Sequence, residues 1–349
     1  MKYTKQERSR SMLFFLLACT TDTTNSCPTQ GDGFCDELQT CAWGTDSTDC
    51  NKMCNQFIQE TSLPTDEENY WKDMAVCAFD SSGKVPNQHR TFGTSSEGSG
   101  GKVGTYDEMV TVRSDYESSE VERYYRVYVP KRYDPSVPTP IMVALGGFSV
   151  DMYWLAEFTE LNRMADRENF IVIYGHPEWR DFGNFDVFSW YVYLQAYQGD
   201  WVDNPDIAYM EAAINEVKGR YNIDLSRVYV SGHSRGGALS VIAAFERPDL
   251  FAGYCAQAGF ASSNEYDVRL QELVQTIKVP GILVHGEKDP DVGVRESDRI
   301  STIFSDAGWQ YTEDWLYFKI PNATHEWQTQ YNQEMWDWLA DRPNINHLH

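Results

Sequence analysis

Between residues 139 and 341 short apolar runs and runs of helical period take turns along the chain, and this alternation limits the fold more than any other feature. "PIMVALGG" (140–147), "FIVIYGHP" (170–177), "RVYVSG" (227–232), "LFAGYCAQ" (250–257), "VPGILVHG" (279–286) and "WLYFKI" (315–320) read as strands. Helices are expected over 153–169, over 205–221 with Asn204 as cap and Pro205 in the first turn, over 236–246, 266–277 and 293–305, and from about residue 326. Apolar strands separated by helices build an α/β fold with a mostly parallel, doubly wound sheet, whose ligand chemistry lies at the carboxyl ends of the strands. Two alternating segments, 107–114 and 122–130, precede it and read as an antiparallel pair.

Within that frame "VYVSGHSRGG" (228–237) sets Ser234 where a strand gives way to a helix. A sharp strand-to-helix turn exposes the serine hydroxyl, and glycines at 232 and 236 let the neighbouring backbones pass. The helix N-terminus also favours negative charge at the hydroxyl. A serine nucleophile needs a base, and in this kind of sheet the acid and then the histidine follow it along the chain. His325, in "PNATHEW" directly after a strand, stands where that base belongs; His347 and His349 lie in a polar tail, His285 ends a strand, and His233 adjoins the nucleophile. The loop "GILVHGEKDPDV" offers Asp289 and Asp291 as the acid that orients the imidazole. Two backbone N–H groups are needed for the developing oxyanion, one from Arg235 and one from Phe148 after Gly146-Gly147.

The stretch "DIAYMEAAINEVKGRYNIDLSRVYVSGHSRGGALS" (206–240), together with "HGEKDP" and the His-x-Trp of His325 and Trp327, resembles the polyhydroxybutyrate depolymerase and feruloyl esterase branch of the α/β-hydrolases over residues 122–341. The resemblance implies a serine esterase with Ser234, Asp289 and His325 as its triad, Asp291 being the alternative acid; a serine hydrolase acting on lipid or peptide bonds, or a non-catalytic surface-binding protein of the same fold, is the alternative function. It also implies an acyl-enzyme route that needs no cofactor. Relatives place His-Gly in the oxyanion loop, so Gly146 is a departure.

About eighteen residues separate "YCAQAGF" from "VPGILVHG", room for one helix and no separate lid domain. Between residues 178 and 203 aromatic residues crowd a stretch that leaves from the carboxyl end of a strand. Trp190 and Trp201 there, with Trp327, are expected to line a groove for an extended ester substrate, polymeric or feruloylated, while packing of some of these rings on the sheet is the competing expectation.

The N-terminal 26 residues carry Lys2, Lys5, Arg8 and Arg10, then an apolar run to Ala18, and read as an export signal. Leu16-Leu17-Ala18-Cys19 resembles a bacterial lipobox, which implies lipidation at Cys19 and a membrane contact through that anchor alone; a cleaved signal with an incidental cysteine is the alternative. After a tether (19–26), Cys27, Cys35, Cys41 and Cys50 fall within an acidic module (27–51), with too little sequence for a core and two disulfides expected instead. It resembles a short Notch-type repeat, which implies calcium on Asp32, Asp36, Asp46 and Asp49, solvated acids being the alternative. A helical hairpin closed by Cys54 and Cys77 (52–80), a Gly/Ser-rich flexible linker (81–104), the hydrolase domain (105–342) and a tail (343–349) complete the expected order, with Cys255 left as a buried free thiol. A net charge of -23 excludes nucleic acid and anionic lipid as electrostatic partners.

Overall fold

A computed structural model describes residues 95–114, 119–181, 186–192, 204–261 and 264–344. The export signal, the acidic cysteine module and the hairpin lie outside the described residues, and with them Cys19, Asp32, Asp36, Asp46 and Asp49; Trp201 does too. Ten strands and seven α-helices are described: β1 Gly104–Ser114, β2 Ser119–Val129, β3 Thr139–Leu145, α1 Met152–Phe158, α2 Leu161–Glu168, β4 Ile171–Gly175, β5 Glu178–Asp181, β6 Asp186–Ser189, α3 Pro205–Arg220, β7 Ile223–His233, α4 Arg235–Glu246, β8 Gly253–Gln257, α5 Asn264–Leu273, β9 Gly281–Gly286, α6 Arg295–Asp306, β10 Trp315–Ile320 and α7 Asn332–Ala340.

Eight strands form one sheet in the order β1-β2-β4-β3-β7-β8-β9-β10, antiparallel at β1/β2 and β2/β4 and parallel elsewhere. The run of apolar residues in β3 is explained by burial on both faces, since every one of its residues is inaccessible. Ile141, Val143 and Leu145 enter one core with side chains of α3, α4, α5 and α6. Met142 and Ala144 enter the other with α1, α2 and α7. Each core buries apolar area at about 25 cal/mol per Å², and that burial fixes the strand register. Leu145 pairs with Gly232, so the chain leaving β3 emerges beside the turn that follows β7.

Three segments depart from the sequence expectation. The single helix over 153–169 is two helices. Glu160 takes a left-handed φ of 55°, and the Asn332 side-chain amide donates to the Thr159 carbonyl at 2.8 Å, a partner from α7 that takes up a backbone group at the break. The aromatic stretch after β4 contains the antiparallel pair β5/β6, with Glu178 facing Ser189 and Trp179 facing Phe188; its signal in the sequence is the Gly183-Asn184 dipeptide between the two runs. Residues 95–104, read as the end of a flexible linker, are bound to the end of α3 and the start of β7. The Ser96 amide donates to Ile223 O at 3.0 Å, the Ser96 hydroxyl to Tyr221 O at 2.8 Å, and the Gly100 amide to Arg220 O at 3.2 Å. The serines here supply hydrogen bonds, and Gly98 lets the backbone close on Tyr221. Among the described residues no helix is long and apolar enough to cross a membrane.

A buried ion pair ties the antiparallel edge to α3. Arg123 Nη1 lies 2.7 Å from Asp206 Oδ1, with the side chains 3% and 0% exposed, and Asp206 Oδ2 also accepts the Tyr191 amide at 2.5 Å. Arg123→Met leaves the Asp206 charge buried without its counter-ion, so urea unfolding should show a loss of about 3–5 kcal/mol. A loss below about 1 kcal/mol, the range of exposed pairs, would show that the pair is not what holds α3 to this edge.

Candidate active site

The turn after β7 is built by absence of side chains. Ser234 has φ 55° and ψ -115°, outside the regions an L-residue favours, and it precedes the first residue of α4. A Cβ on Gly232 would overlap the Gly236 carbonyl, and one on Gly236 would overlap the carbonyl of Leu145, so neither position admits a larger residue without moving backbone. The Ser234 amide donates to Gln257 O at 2.9 Å, and the Ser234 carbonyl accepts from Ala238 N at 3.0 Å, which carries the turn directly into the helix.

The loops after β9 and β10 bring Asp289 and His325 together. His325 Nδ1 lies 2.7 Å from Asp289 Oδ2, and Asp289 Oδ1 accepts the amides of Asp291 and Val292 at 2.9 and 2.8 Å. Three hydrogen bonds hold this carboxylate in the acceptor role, so Nδ1 of His325 carries the proton and Nε2 is left as the basic nitrogen. Asp291 contributes its amide to Asp289 while its side chain is exposed. Asp289, Asp291 and His325 each offer an atom within 4.8 Å of the others, a spacing compatible with a cation. The 2.7 Å Asp289–His325 contact is instead a hydrogen bond, shorter than the separation of about 3 Å between two ligands that each stand about 2.0–2.2 Å from a metal.

Two further histidines stand close by and are held neutral. His233 packs its ring 4.8 Å from that of His325, and burial, reinforced by the like charge His325 would carry, pushes His233 down to about 3. Its Nε2 has no hydrogen-bond partner. His285 is buried, and that burial also pushes it below the usual histidine range. Its Nε2 meets Val292 O at 2.8 Å and its Nδ1 meets the Ser297 hydroxyl at 2.7 Å, which assigns Nε2–H as donor.

The chain after β3 passes beside the nucleophile: a Cβ on Gly147 would lie 3.1 Å from the Ser234 Cβ. Phe148 follows, 39% exposed, with the Arg235 guanidinium 4.8 Å over its ring. Arg235 Nη1 donates to Ser189 Oγ at 2.8 Å, and the Ser149 amide to Phe188 O at 3.0 Å, so β6 buttresses this loop.

Two of the residues expected to line a substrate groove are in the core. Trp190 is 1% exposed and donates its indole N–H to Gly146 O at 2.8 Å; Trp327 is 6% exposed and donates to Asn332 Oδ1 at 2.8 Å. The reason is the same for both: a buried indole N–H has to find an acceptor, and each finds one inside the domain. The exposed rings are others. Trp154, 57% exposed on α1, lies 6.1 Å from Phe158, which in turn lies 6.2 Å from His233. Trp179, 60% exposed, meets Phe188 at 4.7 Å. Their signal in the sequence is the i, i+4 spacing of Trp154 and Phe158 in the first helix after the Gly146-Gly147 turn. Gln257 carries no motif in the sequence. It is fully buried, and its Oε1 accepts the Gln328 amide at 2.7 Å, so a single residue at the end of β8 touches the nucleophile turn through its carbonyl and the His325 loop through its side chain.

Comparison with known proteins places residues 117–337 within the family model named Esterase. The chain is 27% identical over 170 residues to a bifunctional acetylxylan esterase/xylanase from Neocallimastix patriciarum, a match covering 49% of this chain and 23% of that protein. It thus spans about a quarter of the length of the curated relatives it matches. Among solved structures, an acetyl xylan esterase from Aspergillus awamori superimposes with a TM-score of 0.54 at 15% identity, covering 67% of this chain and 99% of that one. A ferulic acid esterase from Anaeromyces mucronatus, solved with ferulic acid, does so with a TM-score of 0.50 at 18% identity, covering 66% and 88%. These likenesses show the fold, the α/β-hydrolase architecture that the strand order displays.

The neutral state of His233 has a consequence for stability. The unfolded chain takes up this proton near pH 6.5 and the folded one near 3, so the unfolded state holds more protons throughout that window. The contribution of this group is therefore complete above pH 6.5 and is lost as the pH is lowered toward 3, with a slope of about 1.4 kcal/mol per pH unit. Urea unfolding of His233→Asn across the same range should show a shallower fall, by roughly one proton's worth. Identical slopes in the two proteins would mean that His233 titrates alike in both states.

Proposed function

This chain belongs to the Esterase family, and from that premise we propose that it hydrolyses carboxylic esters by acyl transfer through Ser234, His325 and Asp289. The observation that carries the proposal is the Asp289–His325 hydrogen bond formed at the carboxyl ends of β9 and β10, on the side of the sheet where Ser234 stands at the end of β7. In this reading His325 Nε2 takes the Ser234 proton as the hydroxyl attacks the ester carbonyl. Asp289 holds the tautomer and stabilises the imidazolium. The backbone N–H groups of Arg235 and Phe148 receive the oxyanion. His325 then returns the proton to the leaving alcohol, a water attacks the acyl-enzyme with the same base, and the carboxylic acid departs.

The substrate class we favour is an ester carried on a polysaccharide, acetyl or feruloyl, because the relatives above carry those activities in their names and because Phe148, Trp154 and Trp179 offer exposed ring faces around the site. Oligomeric hydroxyalkanoate esters are the second class, on the strength of the 206–240 stretch. The acidic surface, net charge -23, favours release of an acid product. Export rests on the basic and apolar pattern of the first 18 residues, with Cys19 as a lipid anchor, and calcium in the 27–51 module rests on its interleaved aspartates.

The test is a kinetic panel of acetylated xylan, a feruloylated oligosaccharide, a hydroxybutyrate trimer and a short chromogenic acetate. Turnover of at least one polysaccharide ester above the acetate is expected, with none by Ser234→Ala. Asp289→Asn should lose on the order of a thousandfold or more in kcat, while Asp291→Asn stays within about threefold of the parent. Parent-level turnover by the alanine variant would remove Ser234 from the mechanism. The reverse ranking of the two aspartates would move the acid to Asp291.

A further inference from the structure

We propose that Trp190 is a positioning residue for the oxyanion loop: its indole N–H fixes the Gly146 carbonyl and thereby the orientation of the peptide groups that follow it. The inference rests on the esterase reading above and adds a residue to it.

The geometry is specific. The Trp190 Nε1 to Gly146 O distance is 2.8 Å, and the indole is 1% exposed, so no water competes for the bond. In a trans peptide the C=O and the N–H point in opposite directions, so anchoring the Gly146 oxygen toward the indole turns the Gly147 N–H away from it. Gly147 is also the residue whose missing Cβ would face the Ser234 Cβ. The direction in which the Gly146–Gly147 peptide is turned therefore decides how the backbone up to Phe148 is presented to the nucleophile. Two adjacent glycines have wide conformational freedom and would not choose that direction unaided. Beyond Gly147 the loop is held by the Ser149 amide on Phe188 O and the Val150 amide on Gly147 O; at Gly146 itself the restraint comes from outside the loop, from Trp190.

The indole itself is firmly held. A Cβ on Gly175, at the end of β4, would come within 2.9 Å of the Trp190 ring. Tyr209 of α3 stacks on it at 6.3 Å, and the Arg123 guanidinium lies 5.8 Å from its centroid. On the chain side, the next residue, Tyr191, has its amide bound by Asp206 and its carbonyl by the Asn204 side chain at 2.9 Å. The buried Arg123–Asp206 pair thus reaches the loop beside Ser234 through one aromatic ring. A donor that is buried, oriented and unable to rotate away is what an oxyanion loop of glycines requires.

The experiment replaces Trp190 with 3-benzothienylalanine, which keeps the bicyclic shape and puts sulfur where the indole carries N–H; Trp190→Phe is the genetically simple companion. Steady-state kinetics on a feruloyl and an acetyl ester are combined with the inhibition constant of an arylboronic acid, whose tetrahedral adduct on serine places an oxygen in the oxyanion site. Loss of the bond should lower kcat about tenfold to a hundredfold on both esters and weaken the boronic acid by a similar factor, while KM stays within about twofold. A thermal midpoint lower by a few degrees accompanies this result in the benzothienyl protein, as one buried carbonyl loses its donor, with the protein still folded at the assay temperature. Unchanged kcat and boronic acid affinity in that protein would overturn the proposal, as would a loss confined to KM for the feruloyl ester, which is the signature of a groove residue. A parent that turns over no ester would overturn the esterase reading, and this inference with it. An active parent with an indifferent analogue would overturn this inference alone.

Discussion

Backbone passes backbone at the turn that carries Ser234, and the rest of the site depends on that crossing. Gly236 at the start of α4 lies against the carbonyls of Leu145 and Gly146, while Gly232 at the end of β7 lies against Gly236. Because no side chain separates them, the register Leu145–Gly232 carries the chain leaving β3 past the nucleophile, and Ser234 is forced to φ 55°. Such a conformation costs on the order of 1–3 kcal/mol and persists only where the surroundings over-determine it. Here β7 is almost wholly buried and every residue of α4 after Arg235 is inaccessible, so the turn has nowhere to relax.

Electrostatics then separates three neighbouring histidines into different roles. Burial disfavours the charged form of His233 and of His285, and neither has a carboxylate bonded at 2.7 Å. His325 has such a carboxylate at Nδ1, and its side chain keeps 16% exposure. Of the three it is the ring equipped to carry a proton and pass it on: its Nδ1 is bonded to the carboxylate and its side chain reaches solvent, whereas His233 Nε2 is buried with no partner and His285 has both ring nitrogens committed to Val292 O and Ser297 Oγ.

Much of this was legible in the sequence, for reasons that are local. Gly232, Ser234 and Gly236 were readable because a strand-to-helix turn of this kind accepts few alternatives, and the apolar runs of β3, β7, β8 and β9 were readable because burial on both faces leaves a continuous signal. What was not legible depends on distant partners. Nothing near Thr159 announces that Asn332, far along the chain, donates to its carbonyl where the helix breaks. Trp190 and Trp327 have the composition of groove residues, and only the positions of Gly146 O and Asn332 Oδ1 show that both indoles turn inward. Residues 95–104 have the composition of a linker, yet Ser96 spends its hydroxyl and amide on Tyr221 and Ile223. In each case polar composition was compatible with solvent and with a buried acceptor alike, and tertiary structure supplied the acceptor.

The central claim, that Ser234 forms the acyl-enzyme, is tested most directly by rapid-quench mass spectrometry during turnover of a slowly deacylated ester. The account predicts an acyl mass on the peptide bearing Ser234, rising in a burst before steady state. An acyl group on another residue, or product formed at burst rate with no covalent species at any time, would contradict it.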